Sequence, residues 1–213
     1  MNAAGLVLVG ISGLCWTIVY IELIRKGFKD KSCGMPIFAL CLNIVWEFLY
    51  SIDGLFISKE FIMVQDIADM AWALCNVAIL VCWFKFGRQY LPENARKYFV
   101  PYSLLALLVC AGMQFAFYFY CPTATEASIY SAFAQNVAMS AMFLTALFKR
   151  DSTKGFSLLG AICKCIGTLT ATILGLCRNW RGSDIHLDHG IPLFLVDLIY
   201  IYFFIKKKKV SDN

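Results

Sequence analysis

Seven stretches of the chain are apolar over about the length that a helix needs to cross a bilayer, near 20 residues. They run roughly 3–24, 36–57, 66–84, 100–120, 127–148, 157–177 and 190–205, and predict seven transmembrane helices covering about two thirds of the sequence. The connections are too short to fold independently, and no internal repeat, low-complexity tract or Pro/Gly/Ser-rich linker divides them. Residues 1–213 therefore read as one all-α domain, a polytopic bundle of seven membrane helices. The first stretch lacks a basic leader and is nearly long enough to span, so it reads as a helix rather than a cleaved signal.

Polar residues inside these stretches are few, and two are carboxylates. Glu47 lies within the apolar run Pro36 to Ile57, and Asp197 within Gly190 to Ile205. A charge at mid-bilayer costs roughly 2.5 to 3.5 kcal/mol even on the lenient insertion scale, so intramembrane acids mark function by default. Helical spacing groups other polar and aromatic residues around them. Asn43, Glu47 and Tyr50 share one face of the second helix, with Trp46 beside it, and Asp69, Trp72 and Asn76 repeat the pattern on the third. Trp16 and Tyr20 lie one turn apart on the first helix, as do Asp197 and Tyr200 on the seventh.

Composition adds the class: 60% hydrophobic residues, a mean hydropathy of +0.69 and 15% charged residues exceed what a soluble core needs. Charge adds an orientation. Of 19 Lys and Arg, 15 fall after segments one, three, five and seven, which places the N-terminus outside or lumenal and the C-terminus in the cytoplasm. The net charge of +5 then needs no nucleic-acid partner, and Lys206 to Lys209 read as a stop-transfer anchor against anionic membrane lipid. With a rise of about 1.5 Å per residue, Glu47 lies ~15 Å and Asp197 ~10 Å from the outer ends of their segments. The inferred object is one pocket opening toward the outer leaflet, with both acids at its base and aromatics on its walls.

Plainer readings stand beside this one. Glu47 or Asp197 could serve only as a structural partner of Lys164. Asp66 and Asp69 also suit the start of an interfacial helix, and Glu22, near Arg25 and Lys26, reads as a surface charge. The ten cysteines lie mostly in apolar runs without a Cys-x-x-Cys pair and read as small packing residues, with a Cys121–Cys177 disulfide as the alternative. His186, Asp188 and His189 form a weak metal pattern lacking a fourth ligand, in a loop suited to act as a lid.

Particular residues carry a family resemblance. Cys15-Trp16 with Tyr20, then Pro36, Ala39-Leu40-Cys41 and Asn43-Ile44-Val45-Trp46-Glu47 with Tyr50, resemble the small integral membrane terpene cyclases of paxilline and pyripyropene type. Gly155 and Ser157, Lys164, Gly167-Thr168, and Val196-Asp197 with Tyr200 extend the resemblance over nearly the whole chain. It implies a cyclase that protonates an epoxide or alkene of a prenylated meroterpenoid or indole-terpenoid substrate and guides a carbocation through ring closure. The family's catalytic acids map onto Glu47 and Asp197. Trp16, Tyr20, Asn43, Trp46, Tyr50, Asp69, Trp72, Asn76, Lys164 and Tyr200 are the expected substrate-binding residues.

The chemistry suits such a site. A carboxylic acid in an apolar, dry pocket stays protonated at neutral pH and can act as a general acid, π faces stabilise a migrating cation, and exclusion of water prevents quenching. There is neither a DDxxD nor a DxDD run, no dinucleotide fingerprint and no P-loop, so no metal or other cofactor is expected. The partners are a lipophilic prenylated small molecule and membrane lipid, and no feature specifies an oligomeric state. The membrane is the endoplasmic reticulum in a fungus or the plasma membrane in a bacterium. The alternative is a seven-helix proton-coupled transporter with Glu47, Asp197 and Lys164 as a relay. A retinal protein is disfavoured because segment seven has no Lys before Lys206.

Overall fold

A computed structural model of the chain describes the backbone of residues 3–58, 63–177 and 183–211, and side chains for 3–58, 64–176 and 190–210. His186, Asp188, His189 and the Cys177 half of the disulfide alternative lie outside the described side chains. Seven α-helices follow the seven apolar stretches: α1 (Ala3–Lys29), α2 (Ile37–Ile52), α3 (Met63–Phe86), α4 (Phe99–Tyr120), α5 (Ala124–Lys149), α6 (Leu158–Cys177) and α7 (Ser183–Ser211). Several run past their apolar stretches, because backbone hydrogen bonding continues through charged residues such as Lys26 and Lys29 of α1 that lie beyond the hydrocarbon. Among the described residues, six of the helices are long and apolar enough to cross a membrane. The seventh, α7, packs against α5 and α6.

The helices close into a ring in the order α1, α3, α2, α4, α5, α7, α6, and α2 also touches α5 across it. In consequence α2 is buried on most sides, from Ile37 and Leu40 through Asn43 and Glu47 to Tyr50. α4 instead turns Leu104, Leu105, Leu108 and Phe119 outward, the apolar surface that lipid requires. At its far end α2 widens into a π-helical turn, Asp53–Ile57, and Gly54 there lets the Asp66 carboxylate of α3 approach closely enough to leave no room for a Cβ. Asp66 lies in the first turn of α3, the helix start that its position suggested, and is buried there against α2. α5 begins on Thr123, whose side chain accepts from the Glu126 backbone N–H at 3.1 Å, a local start signal readable in the sequence.

At the opposite end, where the basic loops lie, the α1–α2 and α5–α6 connections are latched together. Ser32 Oγ donates to the Lys154 carbonyl at 2.9 Å, and the Gly155 N–H donates to Asp30 Oδ2 at 3.0 Å. Gly155 has φ +81°, and a Cβ there would collide with the Ser32 backbone. Gly155→Ala is therefore expected to cost about 1–3 kcal/mol through strain and lost contact. Thermal unfolding in detergent measures it, and an unchanged midpoint would show that this latch does not hold the helix ends.

Candidate acid site

The polar face of α2 meets polar residues from four other helices. Glu47 is 2% exposed, and each of its oxygens accepts from a neutral donor: Oε1 from the Tyr20 hydroxyl, in a short contact, and Oε2 from Asn76 Nδ2 at 2.6 Å. No ion pair to Glu47 forms among the described residues. Asn43 Nδ2 donates to the Tyr20 oxygen, Gln135 Nε2 to Asn43 Oδ1 at 3.3 Å, and Gln114 Nε2 to Gln135 Oε1 at 2.8 Å. These bonds run in a single direction, from α4 through α5, α2 and α1 to Glu47. Each amide fixes the orientation of the next, so the Tyr20 proton points at Glu47. Among the described residues, Asn76 Oδ1 beside the acid is buried without a partner, as are Gln114 Oε1 at the start of this run of bonds and Asn136 Oδ1.

Two cavities meet at Trp16, Tyr20 and Asn43, which line both. The larger, about 240 Å³, contains Glu47 and Asp69 among Trp46, Trp72 and Phe133. Gln65 Nε2 donates to Asp69 Oδ1 at 2.8 Å, Trp72 stacks on Tyr20 with ring centroids 6.0 Å apart, and Trp46 Nε1 donates to the Ser128 carbonyl at 3.0 Å. Both indoles line the cavity, fixed in place by these contacts. The smaller cavity, about 40 Å³, lies nearer the basic-loop end and contains Lys164, Asp197 and Tyr200 with Phe143 and Phe156. The expectation of one pocket floored by both acids is thus corrected. The Trp16, Tyr20 and Asn43 side chains occupy the space between them.

Asp197 has a different environment from Glu47. Lys164 Nζ lies 2.9 Å from each of its oxygens, and Ser140 Oγ donates to Oδ1 at 2.7 Å while Lys164 also bonds Ser140 Oγ at 2.6 Å. Lys164 therefore pairs with Asp197, not with Glu47, and the single relay joining all three residues is not assembled. Its position along α6 brings Lys164 level with Asp197 of the adjacent α7, whereas Glu47 lies beyond the aromatic divide. Glu22 is likewise no surface charge: it is 7% exposed, lines the smaller cavity and is clasped by Arg25 Nε at 2.7 Å and by Ser157 Oγ.

Two of the expected binding residues stand behind the cavities. Tyr50 is buried against Trp46 and Ser131, because two helical turns carry it about 10 Å past Asn43 along α2. Asn76 is wholly buried and reaches the larger cavity only through Glu47. The remaining ones, Trp16, Tyr20, Asn43, Trp46, Asp69, Trp72, Lys164 and Tyr200, line one cavity or both.

Sequence reasoning passed over Gln114, Gln135 and Ser140. Applying the cost of buried polarity to uncharged amides in apolar runs, and not to charges alone, would have found the first two. Gln135→Leu removes the donor that orients Asn43, and is expected to lower kcat about tenfold with KM little changed. Equal loss in both parameters, or none, would rule out that orienting role.

Comparison with known proteins identifies the family. A family model described as Pyr4-like transmembrane terpene cyclases matches residues 3–209. The Pyr4-family terpene cyclase mfmH of Annulohypoxylon moriforme is 32% identical over 179 residues, 81% of this chain and 70% of the relative. Terpene cyclase andB of Emericella variicolor is 30% identical over 216 residues, 94% of this chain and 88% of the relative. Terpene cyclase pyr4 of Aspergillus fumigatus is 24% identical over 211 residues, 90% and 81%. No solved structure gives a significant match. With its membrane helices, its buried acids and a family match over nearly its whole length, the chain belongs to the Pyr4-like transmembrane terpene cyclases.

Proposed function

We propose that Glu47 starts the cyclisation by protonating a terminal epoxide or alkene of a prenylated substrate held in the larger cavity. The observation that carries this reading is its set of partners: a buried acid on the cavity wall, held by a phenol and an amide, with no cation paired to it among the described residues. The two ends of an Asn amide are nearly the same shape, so the Asn76 amide fits its place turned end for end. In that orientation Asn76 Oδ1, otherwise orphaned, accepts the Glu47 proton and keeps the acid neutral until substrate takes it.

In the epoxide case the Glu47 proton passes to the epoxide oxygen, a C–O bond breaks, and alkene π electrons form the new C–C bonds. A proton then leaves the last cation, so the product is an isomer of the substrate. The faces of Trp16, Trp46, Trp72 and Tyr20 each stabilise the moving cation by about 0.5–2 kcal/mol. Asp197, held by Lys164, is suited to receive the departing proton or to orient the substrate's polar end from the smaller cavity. A lipid-soluble prenyl chain enters from the bilayer of, on this reading, the endoplasmic reticulum, with the Glu47 cavity toward the lumenal side.

Membranes containing the protein are incubated with linear prenylated substrates, with and without a terminal epoxide, and the products are separated by mass spectrometry. An isomeric cyclised product from either series is expected, and the responding series names the initiating group. Unchanged substrate in both, with the protein folded, would defeat the proposal.

A further inference from the structure

A third cavity, about 1030 Å³, opens among the basic loops and is separate from the acid site. Its notable member is Arg150, directly after α5. The guanidinium is sandwiched between two rings, 3.7 Å from the Tyr90 centroid and 4.6 Å from that of Phe156. It makes no ion pair with a carboxylate among the described residues, and its Nη1 is buried without a hydrogen-bond partner. Burial pulls its pKa below the ordinary arginine value, yet an arginine keeps its proton in proteins. A partly buried cation without an anion is costly, and the charge is delocalised over the whole guanidinium, so an anion on its cavity side compensates it.

The surroundings specify that anion. Lys31, Lys149 and Lys154 line the same cavity, against two carboxylates, Asp30 and Asp151. Asp30 is already engaged by the Gly155 N–H and by Lys26 at 3.7 Å. The excess of positive charge suits a phosphate more than a neutral polar group. Phe38, Tyr102 and Met142 supply an apolar wall beside these cations, at the ends of membrane helices. A free phosphate has no use for that wall, whereas the acyl chain of an amphiphile does.

We propose that this cavity binds the phosphate head of an anionic amphiphile, with Arg150 as the anchor and the three lysines at the rim. The site lies apart from both acids, and its occupancy does not depend on how cyclisation begins.

The test uses the full-length protein in neutral detergent, with its thermal unfolding midpoint followed during titration with short-chain phosphatidic acid, phosphatidylcholine of the same chain length, or inorganic phosphate. Phosphatidic acid is expected to raise the midpoint by several degrees, phosphatidylcholine to leave it unchanged, and inorganic phosphate to act only at much higher concentration. Arg150→Gln is expected to weaken the phosphatidic acid effect about tenfold or more. Because that variant removes a ring-stacked group, Lys149→Gln with Lys154→Gln provides a second, exposed pair of changes, expected to weaken binding severalfold. Neutralising Lys206, Lys208 and Lys209 instead is expected to leave the effect intact. No shift with phosphatidic acid overturns the proposal, as does a full shift in folded Arg150→Gln or in the double lysine variant. Loss on neutralising the C-terminal lysines, or inorganic phosphate acting as strongly as the lipid, does so too.

Discussion

Glu47→Gln is expected to yield a folded protein that forms essentially no cyclised product, with turnover lowered by about 10³-fold, the scale of a lost general acid. The substitution keeps shape and hydrogen bonding while removing the transferable proton. The Gln carbonyl still accepts from Tyr20, and its amide N–H₂ faces Asn76, whose amide, turned end for end, presents Oδ1 to it as it does to the protonated acid. Stability is therefore expected to be unchanged or slightly raised, which separates loss of chemistry from loss of fold. Unfolding midpoint and product formation are measured on the same membrane preparation. Glu47→Gln forming product within tenfold of wild type would remove Glu47 from the donor role.

The second large effect concerns stability rather than proton transfer. Lys164 and Asp197 are about one-tenth exposed or less and are bound to one another and to Ser140. Removing one charge leaves its partner buried without compensation, a loss of about 3–5 kcal/mol, whereas replacing both by apolar groups of similar volume is near neutral. Lys164→Met is thus expected to lower the unfolding midpoint sharply, and Lys164→Met combined with Asp197→Leu to recover most of it. A double variant as unstable as the single one would mean that packing around α6 and α7, not the unpaired charge, sets the cost. The same pair of variants bears on the acid site, since the recovered protein keeps Glu47 and its donors but has no carboxylate in the smaller cavity.

Much of this molecule is legible along the sequence because the bilayer imposes a simple rule: every apolar run must be a helix, and every charge within one needs a reason. The seven helices follow that rule, and Glu47 and Asp197 stand out by it. Partner choice across helices does not follow. The linear chain does not say which acid Lys164 pairs with, and the ring order, with α6 beside α7, gives it to Asp197. The divide between the cavities is also invisible in one dimension. It arises where Trp16 and Tyr20 of α1 and Asn43 of α2 converge, a meeting that depends on helix rotation and depth. Gln114 and Gln135 escape notice because an uncharged amide in a long apolar run resembles ordinary tolerance until its hydrogen bonds are traced to Glu47. Glu22 misleads for a different reason. Its neighbours Arg25 and Lys26 look interfacial, but Ser157 from the α5–α6 connection covers it.

In this mechanism one acid gives the proton and the other, held by a lysine, serves a different purpose. Single-turnover conversion of an epoxide-terminated prenylated substrate by folded Glu47→Gln and Asp197→Asn, side by side, tests this most directly. Intact substrate is expected with Glu47→Gln, and with Asp197→Asn an opened epoxide whose products are incompletely cyclised or quenched by water. Epoxide opening that survives in Glu47→Gln and disappears in Asp197→Asn would contradict it.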